Sequence, residues 1–296
     1  MNEPTRPGAA VSRAQYRRGA LLVAGAALAW SSAGLITRAA STDSWTTLFW
    51  RSVWACASVL VYIILRDGRA GFAAFANLGR VGWGVAISFA TSMFTFITAL
   101  HLTTVANVII FQAVAPFIAA LLAWAWLGER VTGRGLAAIL ASVLGILIMV
   151  SDSVGKGRLF GDFLSFIMGT SFALMVVLAR RRRDVPMTAA ACVATVLTGL
   201  ATLPFASLEV APFDMLLLAF FGIGQMGLGM VMFTAGVRLM PAADAGLVTL
   251  LEVVLSPFWV WLVFGEDPGE RALIGGGVVL LAVFANTLFE RQAEAH

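Results

Sequence analysis

Runs of roughly 20 apolar residues recur along the chain, separated by short polar or charged stretches. A helix rising about 1.5 Å per residue needs that length to cross about 30 Å of hydrocarbon. The pattern predicts spans near Ala20–Ala40, Trp45–Leu65, Val81–Leu100, Val105–Leu127 and Gly133–Val150. A second set follows near Phe160–Ala179, Met187–Leu208, Phe213–Val237, Ala242–Phe264 and Ala272–Phe289. The alternation that marks a membrane β-barrel is absent from these runs. The expected fold is all-α and integral to a membrane, with ten transmembrane helices. The first run is too long for a signal peptide and lacks a clear small-residue cleavage site, so it reads as the first span.

Composition points the same way. Hydrophobic residues are 60% of the 296, charged residues 12%, and mean hydropathy is +0.90. A soluble domain sits nearer half apolar and a quarter charged. A water-soluble core cannot hide this much apolar surface, so the solvent must be lipid.

The net charge of +4 and pI near 9.8 raise the question of nucleic acid, but the basic residues gather in short loops between apolar runs. Ten spans put both termini and the even-numbered loops on one side. That side holds 15 of the 20 basic residues, among them Arg17, Arg18, Arg66, Arg80, Arg130, Arg134 and the run from Arg180 to Arg183. Arg38, Arg51, Lys156, Arg158 and Arg271 fall on the other. The basic side faces the cytoplasm, so both termini are expected inside. The four-arginine run reads as a topology anchor rather than a nucleic-acid patch.

An internal repeat sets the architecture. Gly128-Glu129 follows Leu127, and Gly265-Glu266 follows Phe264, at an offset of 137. In that register Ala106 pairs with Ala243, Asn107 with Asp244, Trp124 with Trp261 and Arg134 with Arg271. Each half, 20–151 and 157–290, carries five spans, with tails 1–19 and 291–296 outside them. An odd number forces the second half to enter the membrane upside down. Two inverted five-helix repeats are a common ground plan of secondary transporters, with substrate bound at midplane between the halves.

Leu127-Gly128-Glu129 and Phe264-Gly265-Glu266, with Gly161-Asp162 opening the sixth span and Ala115-Pro116 in the fourth, resemble the EamA repeats of the drug/metabolite transporter superfamily. The resemblance covers nearly the whole chain. Within that superfamily the chain looks most like the YddG-type exporters of aromatic and other neutral amino acids. The resemblance implies a bacterial inner membrane, a small-molecule substrate and no cofactor. One departure is visible: the acidic-proline pair of the ninth helix reads Glu252-Val253, with the proline at Pro257.

Polar groups inside a bilayer are expensive and are functional suspects by default. Glu252, near the middle of the ninth span, can bind a proton in exchange for substrate or sit neutral in a hydrogen bond. Its counterpart in the first half is Ala115. Gln112 and Gln225 offer the donors and acceptors that suit a carboxylate and an ammonium; by resemblance their helices line the pathway. Asn107 and Asn286 can equally tie helices together. Trp30, Ser31 and Ser32 lie mid-span in the first helix, where an indole can stack on substrate. Met93 and Phe94, with Phe96, can form an adaptable apolar wall. The expected substrate-binding set is therefore Trp30, Ser31, Ser32, Met93, Phe94, Gln112, Gln225 and Glu252.

Other features have structural readings. Arg51 is expected near the outer end of the second helix, snorkelling to the interface. His101 has no second histidine near it for a metal. Cys56 and Cys192 read as small packing residues without disulfide or metal role. Gly222-Ile223-Gly224-Gln225-Met226-Gly227 spells a dinucleotide fingerprint but lacks the strand context it needs. Gly222, Gly229 and Gly236, spaced by seven, read instead as a smooth packing stripe. Gly275-Gly276-Gly277 serves helix packing or a dimer contact; with both halves in one chain, a monomer can be complete.

An enzyme needs clustered acids or histidines that this chain does not offer, and an ATP-driven pump needs a phosphate loop that is absent. A non-transporting scaffold is the weakest alternative. The expected function is export of small metabolites, aromatic and other neutral amino acids foremost, by alternating access. Drugs, nucleosides or sugar-like metabolites are the second reading.

Overall fold

The computed structural model describes residues 13–127, 133–151, 156–182, 185–236, 239 and 242–294. The Gly128-Glu129 junction, Arg130, Arg183, Arg238, His296 and most of the N-terminal tail lie outside the described residues. So do the side chains of Asn286, Asp244 and Arg180.

Apolar stretches without helix-breaking pairs form the long helices α1 (Arg13–Ala39), α2 (Ser44–Asp67), α3 (Gly79–Leu102), α4 (Val105–Leu127) and α5 (Gly133–Ser151). They are followed by α6 (Leu159–Arg181), α7 (Met187–Thr202), a composite α8, then α9 (Ala242–Phe264) and α10 (Glu270–Glu294). Helix α8 joins Pro212–Ala219 and Gly229–Gly236 through a π-helical segment, Phe220–Leu228. No strand occurs among the described residues. Seven of these helices are long and apolar enough to cross a bilayer, and shorter apolar runs occur at Leu136–Ile148 and Leu251–Phe264.

Helix ends follow local chemistry. Asp43 caps α2 by accepting from the backbone N–H of Trp45 at 2.8 Å and of Thr46 at 3.1 Å, which satisfies donors a helix start otherwise leaves open. Gly265 ends α9 at φ 64°, a left-handed turn that favours glycine. That turn aims Glu266 back at the bundle. Helix α1 begins at Arg13, earlier than its apolar run, because a helix can continue into water on charged residues. Helix α7 stops at Thr202 short of the expected Leu208: Pro204 lies in a 3-10 turn, Leu203–Phe205, where its missing N–H is tolerated.

The packing has an internal two-fold. Helix α1 packs on α8 and α9 of the other half, and α6 packs on α3 and α4 in the same way. The equivalent helices α2 and α7, α4 and α9, and α5 and α10 pack on each other. Each such pair runs antiparallel. On α4, Val105 meets Glu266 and Gln112 meets Glu252; on α5, Ser151 meets Arg271 while a Cβ on Gly145 would touch Val279. Equivalent elements that cross antiparallel require an axis perpendicular to the helices. The two halves are therefore inverted with respect to each other.

The core sits where α1, α3, α4, α8 and α9 converge, on buried Ala33, Ile97, Ile109, Phe221 and Val260. The outer surface is apolar as well: Leu65 is 81% and Leu281 70% exposed. A soluble protein seldom shows a surface of that kind over so many helices. The protein is a multi-pass membrane protein.

The glycine stripe of α8 works as a packing face. A Cβ on Gly222 would meet the Arg51 carbonyl at 2.7 Å, one on Gly229 the Trp30 Nε1 at 2.5 Å, and one on Gly236 the Val23 side chain at 2.7 Å. In α10, a Cβ on Gly276 would run into the Ile110 side chain, so that glycine serves packing within the chain.

Candidate functional site

The suspect polar residues gather into three partly buried groups that adjoin along α9 and α1. The first lies between α4 and α9. Gln112 Nε2 donates to Glu252 Oε1 at 3.2 Å, and Glu252 is 7% exposed. Both helices carry an internal proline, Pro116 and Pro257. Proline lacks the N–H that normally reaches the carbonyl four residues back. The carbonyls of Gln112 and Val253 thus lose their usual helical donors beside this pair.

The second group lies between α1 and α9. Ser256 Oγ donates to the Ser31 carbonyl at 3.2 Å, and Trp259 Nε1 donates to Ser31 Oγ at 3.1 Å. The hydroxyls of Ser31 and Ser32 in turn donate to the carbonyls of Leu28 and Ala29. Ser256 is one helical turn from Glu252, so this group adjoins the first.

The third group joins α1, α2 and α8. Trp30 Nε1 donates to the Gln225 carbonyl at 3.0 Å, and Gln225 Nε2 donates to the Trp30 carbonyl at 3.4 Å. Arg51 Nη2 donates to Gln225 Oε1 at 2.9 Å, and the guanidinium lies 4.7 Å from the Phe221 ring centre. Phe221 and Gln225 both belong to the π-helical segment. Such segments are frequent at functional sites, because they widen one turn of a helix. Trp30 also packs against Phe233, with ring centres 5.1 Å apart.

Met93 is buried in the apolar interior. Phe94 lies on the core's edge, with its ring 5.6 Å from that of Trp45. The structure thus joins Trp30 to Gln225 and Gln112 to Glu252, with Ser31 between them, and leaves Met93 and Phe94 in packing contacts.

Arg51 does not snorkel. It is 4% exposed, and the reason is the face it occupies. Leu48, Ser52, Ala55, Val59 and Ile63 are all buried along one side of α2, and the small Gly222 lets α8 close over Arg51. That three-to-four spacing is visible in the sequence and was the signal for a buried arginine. Cys56 and Cys192 are also closer than packing residues need be, with Sγ atoms 3.7 Å apart between α2 and α7.

A further cluster seals one end of the bundle, where α1, α3 and α9 end and α4 and α6 begin. Arg38 Nε donates to Glu266 Oε2 at 2.7 Å and Nη2 to the Thr103 carbonyl at 2.9 Å, while Nη1 donates to the Leu100 carbonyl. Glu266 Oε1 accepts from the Val105 N–H at 3.0 Å. Asp162 Oδ1 accepts from Thr103 Oγ1 at 2.7 Å and from Asn107 Nδ2 at 2.8 Å, so Asn107 acts as a tie between helices. A cavity of about 260 Å³ lies here, lined by Arg38, His101, Leu102, Thr103, Thr104, Arg158 and Glu266. Neither Arg38 nor Glu266 is marked in the sequence as one half of a pair 228 residues apart.

The comparisons agree with this architecture. No curated protein matches the chain. A solved crystal structure superimposes with a TM-score of 0.64 at 20% identity, over 93% of this chain and 98% of the other, which speaks to the fold alone. The EamA-like transporter family matches twice, at residues 17–151 and again at 159–288, one match for each five-helix unit. The chain belongs to the EamA-like transporter family and is a membrane transporter of small molecules.

Proposed function

We propose that this protein is a secondary exporter of aromatic and other neutral amino acids in the bacterial inner membrane. Both termini are cytoplasmic, and a single chain is sufficient. The units 20–151 and 157–290 rock against each other around a site formed by Trp30, Ser31, Ser32, Gln112, Gln225 and Glu252, with Met93 and Phe94 as its apolar flank.

The observation that carries this reading is the partly buried Gln112–Glu252 hydrogen bond at the antiparallel crossing of α4 and α9. Those helices are equivalents in the two halves, so the bond lies across the interface that must rearrange. Inverted halves can exchange conformations to give inward-open and outward-open states of similar energy, with substrate held at the interface. An indole, two amides and a carboxyl match the ring, ammonium and carboxylate of an aromatic amino acid.

The test is counterflow. Liposomes holding the purified protein and unlabelled phenylalanine are diluted into labelled phenylalanine. Saturable uptake above that of empty liposomes is expected, with tryptophan competing. Silence across a broad metabolite panel, from protein shown to be folded, overturns the reading. Uptake of nucleosides or sugars without amino acids moves it to the second substrate class.

A further inference from the structure

Arg51 carries more charge into the bundle than its surroundings answer. Its side chain is buried, and one nitrogen, Nη2, bonds to Gln225. Its Nε and Nη1 are buried with no hydrogen-bond partner. Among the described residues no carboxylate forms an ion pair with it. The Phe221 ring face offers a weak electrostatic partner. A guanidinium stays protonated under all ordinary conditions, so neutralisation cannot relieve its burial. Buried charges are paired as a rule, because stripping water from an ion is costly unless a partner replaces it.

The surroundings hold Arg51 in place. The Gln225 amide oxygen fixes Nη2, and the Gln225 amide nitrogen is held by the Trp30 carbonyl. The backbone of the π-helical segment is held in turn by the Trp30 indole. The remaining guanidinium donors belong to a residue tied through Gln225 to the tryptophan that the proposed function already assigns to substrate.

We propose that Arg51 is the anion-recognising residue of the transport site, its Nε and Nη1 donating to a carboxylate or phosphate of the cargo while Gln225 positions it. This rests on the reading of the chain as a carrier with its site at Trp30 and Gln225, and it narrows the cargo to molecules bearing an anionic group. A structural role is the competing account: Arg51 would merely tie α2 to α8 through Gln225 and Phe221.

The experiment measures binding to the purified full chain by thermal shift and counterflow, using phenylalanine, phenylalaninamide, and a phosphorylated sugar beside its unphosphorylated parent. A charged hydrogen bond outweighs a neutral one enough to predict at least about tenfold weaker binding of the amide than of the acid. Arg51→Gln is expected to erase that difference, and Arg51→Lys to retain part of it. Measurable and equal binding of acid and amide by the unaltered protein overturns the proposal, and this arm needs no variant to fold. Discrimination that survives in Arg51→Gln overturns it as well. Tight binding of the phosphorylated sugar alone, lost in Arg51→Gln, upholds the anion site while the amino-acid reading fails. Transport of uncharged molecules without any preference for anions leaves a carrier but overturns the role of Arg51.

Discussion

Gln112 on α4 and Glu252 on α9 join the two halves of the bundle through a single hydrogen bond of 3.2 Å. The positions are not equivalent in the repeat, since Glu252 faces Ala115 in that register. The interface is therefore symmetric in backbone and asymmetric in chemistry. In the proposed carrier cycle a single proton is exchanged at Glu252, with no matching acid at the equivalent position of the first half. Glu252→Gln, which keeps the shape and a hydrogen-bonding amide, is expected to transport but to lose its dependence on pH. A pH–rate profile that is unchanged in the variant assigns Glu252 a structural role instead.

The Arg38–Glu266 pair ties α1 to the end of α9 and caps the carbonyls at the end of α3. Both side chains are partly buried, at 24% and 21% exposure, so the pair should be worth more than a surface bridge and less than a fully buried one, about 1–2 kcal/mol. Arg38→Ala is expected to favour opening of this end. The readout is a cysteine at Thr104, which should react with a water-soluble maleimide roughly tenfold faster in the variant. Equal rates would show that the pair does not hold that end shut.

Glycines on α8 and α10 divide by what surrounds them. Gly222→Ala drives a methyl against the backbone of α2, with the Ala55 nitrogen and Arg51 carbonyl both at 2.7 Å. Backbone cannot step aside cheaply, and overpacking of this kind costs about 1–3 kcal/mol. Gly277→Ala meets nothing within 4 Å and gains helix propensity of about 0.5–1 kcal/mol. Melting of the detergent-solubilised protein should fall with the first substitution and hold or rise with the second.

Cys56 and Cys192 offer a test of the crossing between α2 and α7. Their sulfurs are 3.7 Å apart, near enough for small rotamer changes to bring them to the bonding distance of about 2 Å. Copper phenanthroline is expected to oxidise both thiols to one intramolecular disulfide, seen as loss of two maleimide-reactive sites under denaturing conditions. Cys56→Ser should abolish the protection of Cys192.

Asp43 lies in the loop before α2, outside the spans. Burial pushes its carboxyl up, but hydrogen bonds from the Thr46 hydroxyl and from the Thr46 and Trp45 N–H groups outweigh that and hold it below the usual aspartate range. Its contribution is therefore present above the ordinary aspartate pKa and lost as pH falls through the depressed value. Asp43→Ala should cost about 1 kcal/mol at neutral pH, as loss of a helix cap does. The deficit should vanish in strong acid, where the unaltered protein has lost the same cap.

Arg51 shows where reading the chain runs out. The buried stripe through Leu48, Ala55 and Val59 is legible from spacing, and Arg51 lies on it. A charge near a span end satisfies the snorkelling rule equally well, and only α8 closing over Gly222 decides between them. Gln112 and Gln225 are recognisable as suspects because an amide in hydrocarbon needs a partner. The partners themselves are not recognisable, since one pairs within its own kind of chemistry on α9 and the other with an arginine on α2. The π-helical segment leaves no mark in the sequence that distinguishes it from an ordinary apolar run.

The sequence by itself determined the membrane, the helical class and the inverted halves. Transfer of a side chain into lipid is a property of that side chain, so summing along a window finds the spans, and an odd count per repeat inverts the second half. The tertiary structure decided which polar groups meet: Gln112 with Glu252, Arg51 with Gln225, Arg38 with Glu266. Those meetings depend on helix crossing and rotation, which are set by packing between residues more than a hundred positions apart and are not written in any local stretch of chain.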